Sequence, residues 1–394
     1  MSSGRDARFR VEGYVAEGFG ALADALSRVI AFDDGAGSAF ALYEDGRVVA
    51  DLWGGWDDLA NRAFPDDALL RVASCSKGIT ATVFGILIAR GAIDPAARIA
   101  DLWPEYAVNG KQDTTIEMVA AHLAGIPFPA LGSGLRGVDY FTGARLLETL
   151  ARQEPLWVPG TALGYHPATG GAVLDEICRR ATGRRISEVL AAEIADPLGL
   201  SMWLGAPSEV FSRVVRGHSV DDDSPQPAAE TDYARARQAA FAEAAPFEPD
   251  EGDPQEFAEY YGASMPSVGA VTDARSLARM YAATVSEVDG IRLLDADTVA
   301  EMTRDRTRGL PRLVENGTAG PDLAFGFGYQ LPTTTMPGIT PRSFGHTGHG
   351  ARLGLADPET GMGVGFVCSR MRTIGVGGDP RWRILLDAVQ VLAR

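Results

Sequence analysis

Strand-forming patterns occupy the two ends of this 394-residue chain, while helical periodicity dominates between them. Near the N-terminus, two β-type runs, Ser38–Glu44 and Arg47–Trp53, flank Asp45-Gly46, a pair that tolerates positive φ and is typical of a tight hairpin. Near the C-terminus, Leu353–Ala356 and Gly363–Val367 bracket a turn that contains Pro and Gly. Because strands need partners for their backbone groups, this arrangement predicts one antiparallel sheet built from both ends of the chain.

Between these ends, apolar residues recur at helical spacing from about residue 74 to residue 260. Thr114-Thr115-Ile116-Glu117 has the spacing of a capping box, which is typical of a helix start. Glycine and proline residues then mark where each helix can end. The predicted helices comprise residues 14–30, 116–123, 168–181, 186–194 and 382–393.

These patterns predict an α+β fold, in which an antiparallel sheet is flanked by helices and a helical lobe is inserted into it. The α/β lobe is expected to comprise residues 1–73 and 263–394, and the inserted lobe residues 74–262. Within the insert, residues 219–262 are acidic and rich in Ala and Pro, which indicates a loop or lid around one short helix, or else a plain solvated insertion. An active site is expected in the cleft between the lobes.

The charge balance narrows the possible partners. Asp and Glu number 52 against 36 Lys and Arg, a formal net charge of −16, which repels nucleic-acid phosphates and anionic lipid. We therefore expect neither nucleic-acid nor membrane binding. The first residues lack the apolar run of a signal peptide, and the three scattered cysteines indicate neither a disulfide framework nor a metal site. The expected setting is the cytoplasm, without a cofactor, and the oligomeric state stays open.

The sharpest candidate for chemistry is Ser74-Cys75-Ser76-Lys77, directly before an apolar helical run. If Ser74 begins that helix, residues three apart share a face, so its hydroxyl and the Lys77 amine can meet. A desolvated lysine can lose its charge and accept the serine proton, which arginine cannot do. Lys77 and Lys111 are the only lysines among 36 basic residues, so a lysine at this position is informative. The alternative is a buried helix start whose lysine reaches toward solvent.

A tyrosine in a restrained turn is the second candidate. Tyr165 lies in Gly164-Tyr165-His166-Pro167, ahead of a predicted helix, and can relay a proton between lysine and serine or can be a structural turn residue. A Ser-His-Asp hydrolase is the competing interpretation. However, no Gly-x-Ser-x-Gly occurs, and the nearest segment, Gly217-His218-Ser219-Val220-Asp221, leads into the acidic stretch rather than a helix.

The third candidate is Phe344–Gly350, just before the C-terminal hairpin. Its small residues allow a substrate acyl group to lie against the backbone, and an amide there can join the Ser74 amide as an oxyanion hole. His346 and His349 can be interpreted as metal ligands instead, but no nearby carboxylate or cysteine completes a set. The histidines expected to be structural are His122 and His218.

Taken in order, these motifs resemble the serine β-lactamase and penicillin-binding-protein superfamily, in particular the class C β-lactamase-like branch that includes family VIII carboxylesterases. Ser74–Lys77 matches the nucleophile motif of that family, Pro159-Gly160-Thr161 with Tyr165 its tyrosine motif, and His346-Thr347-Gly348 its Lys-Thr-Gly. The remaining matching segments are His122–Pro127, Ala181–Gly183 and Asp196–Leu200. The resemblance implies a β-lactamase/transpeptidase-like fold.

The resemblance also implies a role for each candidate residue. Ser74 would be the acylated nucleophile, with Lys77 and Tyr165 as base and proton relay. The backbone amides of Ser74 and His349 would form the oxyanion hole. The segment His346-Thr347-Gly348 would bind substrate, and no metal would take part.

Two departures from the family pattern bear on the substrate. Pro167 stands where class C β-lactamases have an asparagine, and His346 stands in place of the lysine of Lys-Thr-Gly. Losing an amide and a permanent charge weakens the case for a β-lactam or peptide carboxylate, so we expect a serine hydrolase of short-chain carboxylic esters. His346 is expected to add a titration near neutral pH. The alternatives are an amidase or peptidase, an acyltransferase, a weak β-lactamase, and a non-catalytic binding module.

Overall fold

The computed structural model describes residues 8–219, 231–245, 253–313, 322–372 and 378–393. Its strands are β1 (Val11–Val15), β2 (Ser38–Glu44), β3 (Arg47–Gly54), β4 (Trp56–Asp57), β5 (Arg62–Ala63), β6 (Leu70–Arg71), β7 (Met202–Leu204), β8 (His218–Ser219), β9 (Ala270–Thr272), β10 (Phe344–Gly348), β11 (Arg352–Asp357), β12 (Met362–Cys368) and β13 (Arg370–Met371). Its helices are α1 (Ala21–Phe32), α2 (Cys75–Ala89), α3 (Ile99–Leu102), α4 (Ile116–Ala120), α5 (Ala144–Arg152), α6 (Thr169–Thr182), α7 (Ile186–Leu190), α8 (Asp196–Leu198), α9 (Asp232–Ala244), α10 (Pro254–Gly262), α11 (Ala274–Val285), α12 (Ala296–Thr303) and α13 (Pro380–Leu392). The 3₁₀ turns are Pro104–Tyr106, Gly137–Tyr140 and Ser208–Arg213, and a π turn, Ala191–Ala195, joins α7 to α8.

Six strands from the two ends of the described chain form one antiparallel sheet, in the order β1-β3-β2-β12-β11-β10. The β2–β3 hairpin turns at Asp45 and Gly46, whose φ angles are +47° and +76°, so both residues occupy the left-handed region that a tight hairpin turn requires. Strand β12 pairs with β2 along its whole length, from Met362 opposite Glu44 to Cys368 opposite Ser38. The predicted joining of the two ends in one sheet is therefore confirmed, and so is the α+β fold.

Helices cover both faces of this sheet. Helices α1 and α13 pack on one face, where Leu26, Phe366 and Trp382 belong to one buried apolar cluster. Helix α11 packs on the other face against β12, where a Cβ at Gly363 or Gly365 would lie 2.3 or 2.1 Å from the α11 backbone. The glycines of β12 therefore allow the helix to approach closely, which side chains would prevent.

Helix α2 packs against β10, α7 and α12. All its residues from Cys75 to Leu87 are buried, so it lacks the one-sided apolar stripe of a surface helix. A smaller sheet, in the order β6-β9-β7, leads the chain into α2 and joins segments from both predicted lobes. The lobe boundaries at residues 74 and 262 stay a prediction.

The expected N-terminal helix over 14–30 is wrong at its start. Tyr14 pairs with Asp51 and Val15 with Ala50 in the sheet, so these residues form strand β1, and the helix begins only at Ala21. Strand pairing satisfies the backbone groups of this segment, whereas Gly18 and Gly20 interrupt the helical pattern. From residue 21 onward the helix is as predicted, and Leu22, Leu26 and Ile30, at helical spacing, are buried on one face of it.

The other helix predictions differ from the structure mainly in length. Helix α6 matches 168–181 to one residue and ends at Gly183, which has φ of +77°. The helix predicted over 116–123 ends at Ala120, and the one over 186–194 continues through a π turn. The acidic segment contains two helices, α9 and α10, rather than one, and Asp221-Asp222-Asp223 lies outside the described residues. Among the described residues, no helix combines the length and apolarity needed to cross a membrane.

Candidate active site

The predicted nucleophile motif lies where the chain turns from β6 into α2. Ala73 has φ of +47°, a left-handed conformation that is uncommon for a residue with a Cβ. Ser74 then caps the N-terminus of α2 with helical dihedral angles. Lys77 lies in the first turn, and its Nζ is 3.3 Å from Ser74 Oγ. The three-residue spacing thus brings the hydroxyl and the amine together on one helix face.

The Lys77 amine is enclosed by backbone carbonyls from two distant segments. Its Nζ donates to Pro167 O at 2.8 Å and to Ser267 O at 3.0 Å, and the side chain is only 7% exposed. Burial lowers the pKa of Lys77 to about 7, so a large share of the amine is uncharged near neutral pH. A neutral amine has two N–H groups, which the two carbonyls accept, and its lone pair remains available to the Ser74 hydroxyl.

Tyr165 lies beside both of these side chains, just before α6. Its turn is tightly packed, since a Cβ at the preceding Gly164 would lie 2.5 Å from the Trp157 ring. Lys77 Nζ is 5.0 Å from the centroid of the Tyr165 ring. Burial raises the pKa of the Tyr165 phenol, and the nearby Ser74 side chain opposes this with a smaller lowering effect. The phenol therefore keeps its proton at neutral pH and can act as a hydrogen-bond donor.

His122, which was expected to be structural, packs directly against Tyr165. The His122 ring lies 4.5 Å from the Tyr165 ring and 4.4 Å from the Phe325 ring, centroid to centroid. Its Nδ1 accepts the backbone N–H of His166 at 3.1 Å, which assigns the proton to Nε2. That Nε2 is buried and has no partner within the described residues. Burial lowers the pKa of His122 well below its usual value, so the ring is neutral.

His346 is a buried residue of β10 on the side that faces α2. It is 1% exposed, and a Cβ at Gly78 of α2 would lie 3.3 Å from the His346 Cβ. Its Nδ1 lies 2.6 Å from the backbone oxygen of Thr347, which assigns the proton to Nδ1. Burial, and secondarily the charge of Lys77, lower the pKa of His346 to about 3. The expected titration of His346 near neutral pH is therefore wrong, because the ring stays uncharged throughout that range.

Thr347 and Gly348 contact different parts of the structure. The Thr347 hydroxyl donates to Gln330 Oε1 at 2.9 Å, so it is bound to a neighbouring loop. A Cβ at Gly348 would lie 2.3 Å from Val72 O and 3.2 Å from Cys75 Sγ. The missing side chain at Gly348 therefore lets the end of β10 pack directly against the residues that flank Ser74.

Two backbone amides at this junction have no acceptor among the residues that the structure describes. Along the outer edge of β10, Gly345 donates its N–H to the Gln330 backbone and Thr347 donates its N–H to the Gln330 side chain. The next amide on that edge belongs to His349, and it donates no hydrogen bond within the described residues; neither does the amide of Ser74. These are the two amides that were expected to form an oxyanion hole, a role that stays a prediction.

Helix α9 contributes an aromatic side chain that sequence reasoning missed. The Tyr233 hydroxyl donates to the backbone oxygen of Tyr165 at 3.1 Å. The Tyr233 ring lies 6.1 Å from the Phe128 ring and 6.2 Å from the Trp157 ring. A tyrosine within an Ala- and Arg-rich helix gave no signal of this contact, since its partners come from sequence positions far away.

The same helix is attached near its other end. Glu243 accepts two backbone N–H groups, from Gly132 at 2.8 Å and from Gly134 at 3.1 Å. These bonds lower the pKa of Glu243, so the carboxylate stays charged near neutral pH. Helix α9 thus bridges the predicted relay tyrosine and the 128–135 loop; its action as a lid stays a prediction.

A surface groove of about 780 Å³ lies elsewhere, in the helical part of the chain, and is lined by residues that include Trp103, Leu147 and Arg179. It contains none of the side chains described above. Several of its charged groups neutralise one another, as Arg179 does with Glu176 at 2.7 Å. The lining of this groove includes neither a lysine nor a histidine, so it holds none of the groups that the sequence predicts to act as a base or to bind substrate.

Residues 26–388 match the family model described as Beta-lactamase, which covers most of the chain. This chain belongs to the beta-lactamase family. The Esterase/beta-lactamase LipL of Mycobacterium tuberculosis (strain ATCC 25618 / H37Rv) is 34% identical over 93% of this chain and 85% of its own length.

Two solved structures are similar over nearly the whole beta-lactamase-family chain. A family VIII carboxylesterase has a TM-score of 0.82 and 29% identity, covering 98% of this chain and 100% of its own. A penicillin-binding-protein homologue from Caulobacter crescentus has a TM-score of 0.82 and 28% identity, with the same coverage. These findings confirm the β-lactamase/transpeptidase-like fold. They also confirm the resemblance to the serine β-lactamase and penicillin-binding-protein superfamily from which that fold was expected. They make this beta-lactamase-family protein a serine hydrolase.

Proposed function

We propose that this enzyme hydrolyses short-chain carboxylic esters through an acyl-enzyme on Ser74. The observation that carries the proposal is the set of acceptors around Lys77, which consists of two backbone carbonyls and Ser74 Oγ. With a pKa of about 7, the amine can give both N–H groups to the carbonyls of Pro167 and Ser267 and direct its lone pair at the serine hydroxyl. That is the arrangement a general base needs to activate a serine nucleophile.

In the acylation step, Lys77 takes the Ser74 proton while Oγ forms a bond to the ester carbonyl carbon. The π electrons of the carbonyl move onto its oxygen, and the amides of Ser74 and His349 donate hydrogen bonds to this oxyanion. When the carbonyl re-forms, the bond to the alcohol oxygen breaks. The alcohol oxygen takes the proton from the Lys77 ammonium through the Tyr165 phenol, and the acyl group remains as an ester of Ser74.

Deacylation repeats these steps with water in place of the serine hydroxyl. Water gives a proton to the neutral Lys77 amine, by way of Tyr165, as its oxygen attacks the acyl carbonyl carbon. Collapse of the second oxyanion breaks the bond to Ser74 Oγ, which takes the proton back from Lys77. The products are free enzyme and a carboxylic acid.

The neutral ring of His346 supports an ester as the substrate. A β-lactam or a peptide C-terminus carries a carboxylate, which a permanent cation at this position would bind. His346 has a pKa of about 3 and supplies no such cation. The name of the similar family VIII carboxylesterase also supports an ester as the substrate, while the name of the similar LipL protein includes both esterase and beta-lactamase.

The test compares the wild type with Ser74→Ala on p-nitrophenyl acetate and butyrate, with nitrocefin as the β-lactam. We expect ester turnover by the wild type, a loss of roughly 10⁴-fold or more in kcat/KM in Ser74→Ala, and little turnover of nitrocefin. Ser208→Ala, which changes an exposed serine, is the matched control and should behave as the wild type.

A fluorophosphonate probe gives a readout that does not depend on the choice of ester. The probe should add to the peptide that contains Ser74 in the wild type and in Ser208→Ala, and should leave Ser74→Ala unlabelled at this position. Undiminished ester turnover by Ser74→Ala, or labelling at another serine, would overturn the proposal. Labelling of Ser74 without ester turnover would point to an amidase, peptidase or acyltransferase instead.

A further inference from the structure

Arg352, the first residue of β11, is a buried guanidinium that has no carboxylate partner among the described residues. Its side chain is 2% exposed, and its single hydrogen bond within the described residues runs from Nη1 to His349 O at 2.8 Å. Its Nε is buried and unpartnered. By contrast, the equally buried Arg381 contacts Asp33 and Asp379 at 2.6 Å each. A buried charge usually costs stability unless it is paired, so Arg352 calls for a reason beyond packing.

The surrounding backbone is shaped to admit this side chain. A Cβ at Gly350 would lie 2.2 Å from Arg352 Nη1, and a Cβ at Gly217 would lie 2.5 Å from Arg352 Nη2. These separations are too short for real atoms, so a side chain at either glycine would displace the guanidinium. Two separate chain segments therefore leave room for the guanidinium at one place.

That place adjoins the junction of β10 with the start of α2, where the amides of His349 and Ser74 donate no hydrogen bond within the described residues. Arg352 is paired with Gly348 in the β10–β11 register, and a Cβ at Gly348 would lie 3.0 Å from the Arg352 Cβ. The Arg352 charge opposes the larger effect of burial on the pKa of the Cys75 thiol, and Cys75 directly follows Ser74. Burial is the larger cause of the lowered pKa of His349, and the charge of Arg352 is the second cause. The guanidinium thus acts on both residues that carry or adjoin the unpaired amides.

In the resting protein this position is unfavourable for a cation. The N-terminus of α2 already carries the positive end of the helix dipole, and Lys77 becomes a second cation whenever it accepts a proton. A nearby negative charge would make the electrostatic energy of the Arg352 cation favourable. In the proposed ester hydrolysis, a negative charge develops at the oxyanion that the amides of Ser74 and His349 receive.

We propose that Arg352 is a positioning residue of the oxyanion hole, which holds the 348–350 turn through the His349 carbonyl and places a buried positive charge behind the oxyanion. The inference rests on the proposed function, since it assigns a role within that same reaction. Its contribution is small in the ground state and large in the transition state, because the negative charge exists only there. The effect is therefore expected in kcat rather than in KM.

The test uses three substitutions in the full chain: Arg352→Met, which removes the charge and the hydrogen bond; Arg352→Gln, which keeps a donor; and Arg352→Lys, which keeps the charge. We expect kcat for p-nitrophenyl butyrate to fall by about 30- to 100-fold in Arg352→Met, with KM within about twofold. Arg352→Lys and Arg352→Gln should each recover part of that loss. The affinity for an alkyl boronic acid, which forms an anionic tetrahedral adduct with serine, should fall in parallel with kcat.

The stability of the variants separates this role from a purely structural one, because the loss of a merely structural side chain would lower the urea midpoint. Removing a buried charge that has no carboxylate partner within the described residues should leave the urea midpoint of Arg352→Met equal to or above that of the wild type. Arg370→Met is the matched control, since Arg370 is paired with Asp34 at 2.9 Å and Asp58 at 3.4 Å; it should lose stability and keep kcat. An Arg352→Met protein that is less stable with unchanged kcat would overturn the inference.

Two further outcomes would also overturn it. A rise in KM alone, confined to esters that carry a carboxylate, would make Arg352 a binding group for substrate anions. An unchanged boronate affinity would remove the electrostatic role. Failure of the proposed function looks different, because then the wild type itself would show neither ester turnover nor phosphonate labelling at Ser74.

Discussion

The two lysines of this chain are both buried, and they occupy two different regions. Lys77 lies in the candidate active site, between α2 and the segments around Pro167 and Ser267. Lys111 lies in the helical part of the chain, where it is fully buried near the end of α5. Each amine has a tyrosine ring nearby, Tyr165 at 5.0 Å from Lys77 Nζ and Tyr106 at 5.1 Å from Lys111 Nζ.

The acceptors around the two amines differ by one atom type. Lys111 donates to three backbone carbonyls, those of Val108, Ala151 and Gln153. Three carbonyls require three N–H donors, so they favour the ammonium form, because a neutral amine would turn its lone pair toward a carbonyl oxygen. Lys77 has a hydroxyl in the third position, which can donate as well as accept.

The different acceptors around the two amines show that burial alone does not make a lysine a base. Burial lowers both pKa values, to about 7 for Lys77 and to about 8 for Lys111. Only at Lys77 does the third partner have a proton to give. We therefore interpret Lys77 as a reacting group and Lys111 as a structural cation that ties its own turn, at Val108, to the end of α5.

Replacing each lysine by arginine should produce the largest difference in kcat/KM between the two sites. Lys77→Arg keeps a cation but cannot accept a proton, so we expect kcat/KM to fall by about 10³-fold or more. Lys111→Arg, the matched control, should keep kcat per labelled active site within about twofold. Steady-state kinetics with a p-nitrophenyl ester, normalised by phosphonate labelling, measures both. Activity of Lys77→Arg near that of the wild type would refute the base assignment.

Removal of the Lys111 side chain should have the next largest effect, and on stability rather than rate. Lys111→Met leaves the buried carbonyls of Ala151 and Gln153 without this donor, while Val108 O keeps the backbone N–H of Lys111; we expect the free energy of unfolding to fall by about 2–4 kcal/mol. Urea denaturation followed by circular dichroism measures this loss, while kcat per folded molecule should stay unchanged. If Lys111→Met is as stable as the wild type, the carbonyls do not depend on this amine.

Tyr165 and Tyr106, the tyrosines beside the two lysines, should differ less strongly in their effect on kcat/KM. Tyr165→Phe removes the proposed relay, so kcat/KM should fall by roughly 10²-fold with the fold intact. Tyr106→Phe removes a buried hydroxyl that has no partner within the described residues, so activity should stay the same and stability should not decrease. Equal effects of the two substitutions on kcat/KM would show that Tyr165 has no special role.

The smallest expected effect concerns pH. The Lys77 amine must be neutral to accept a proton, so kcat/KM should rise as the pH rises through about 7. Because the pKa of His346 is about 3, His346→Gln should leave the midpoint of this rise within about 0.2 units. A pH–rate profile between pH 5.5 and 9 tests this; a midpoint that moves in His346→Gln would assign part of the titration to the histidine.

Local patterns predicted those parts of the structure that adjacent residues determine. The Asp45-Gly46 turn, the Ser74–Lys77 spacing and the glycine after α6 depend on φ preferences and helix geometry within a few residues. The helix expected over 14–30 failed because pairing of Tyr14 with a strand almost 40 positions away outweighed a local periodicity. Sheet pairing of that kind is invisible in a window of neighbouring residues.

The candidate site shows the same division. Ser74, Lys77 and Tyr165 could be identified from motifs, since each belongs to a short segment with its own signal. The contacts of Tyr233 and Arg352 could not, because their partners come from other elements. From sequence alone, an arginine in a strand is expected to be exposed. Only the structure shows that Gly217 and Gly350 leave space in which the Arg352 side chain is buried.

By itself, the sequence determined the two central hairpins of the sheet, most of the longer helices, and that a hydroxyl and an amine lie one helical turn apart. Only the tertiary structure decided that this amine is buried between two carbonyls with a pKa near 7, and that a second lysine with similar burial faces three. The physical reason is that spacing along a helix is a local property. The charge of an amine depends on solvent exclusion and on acceptors that distant segments supply.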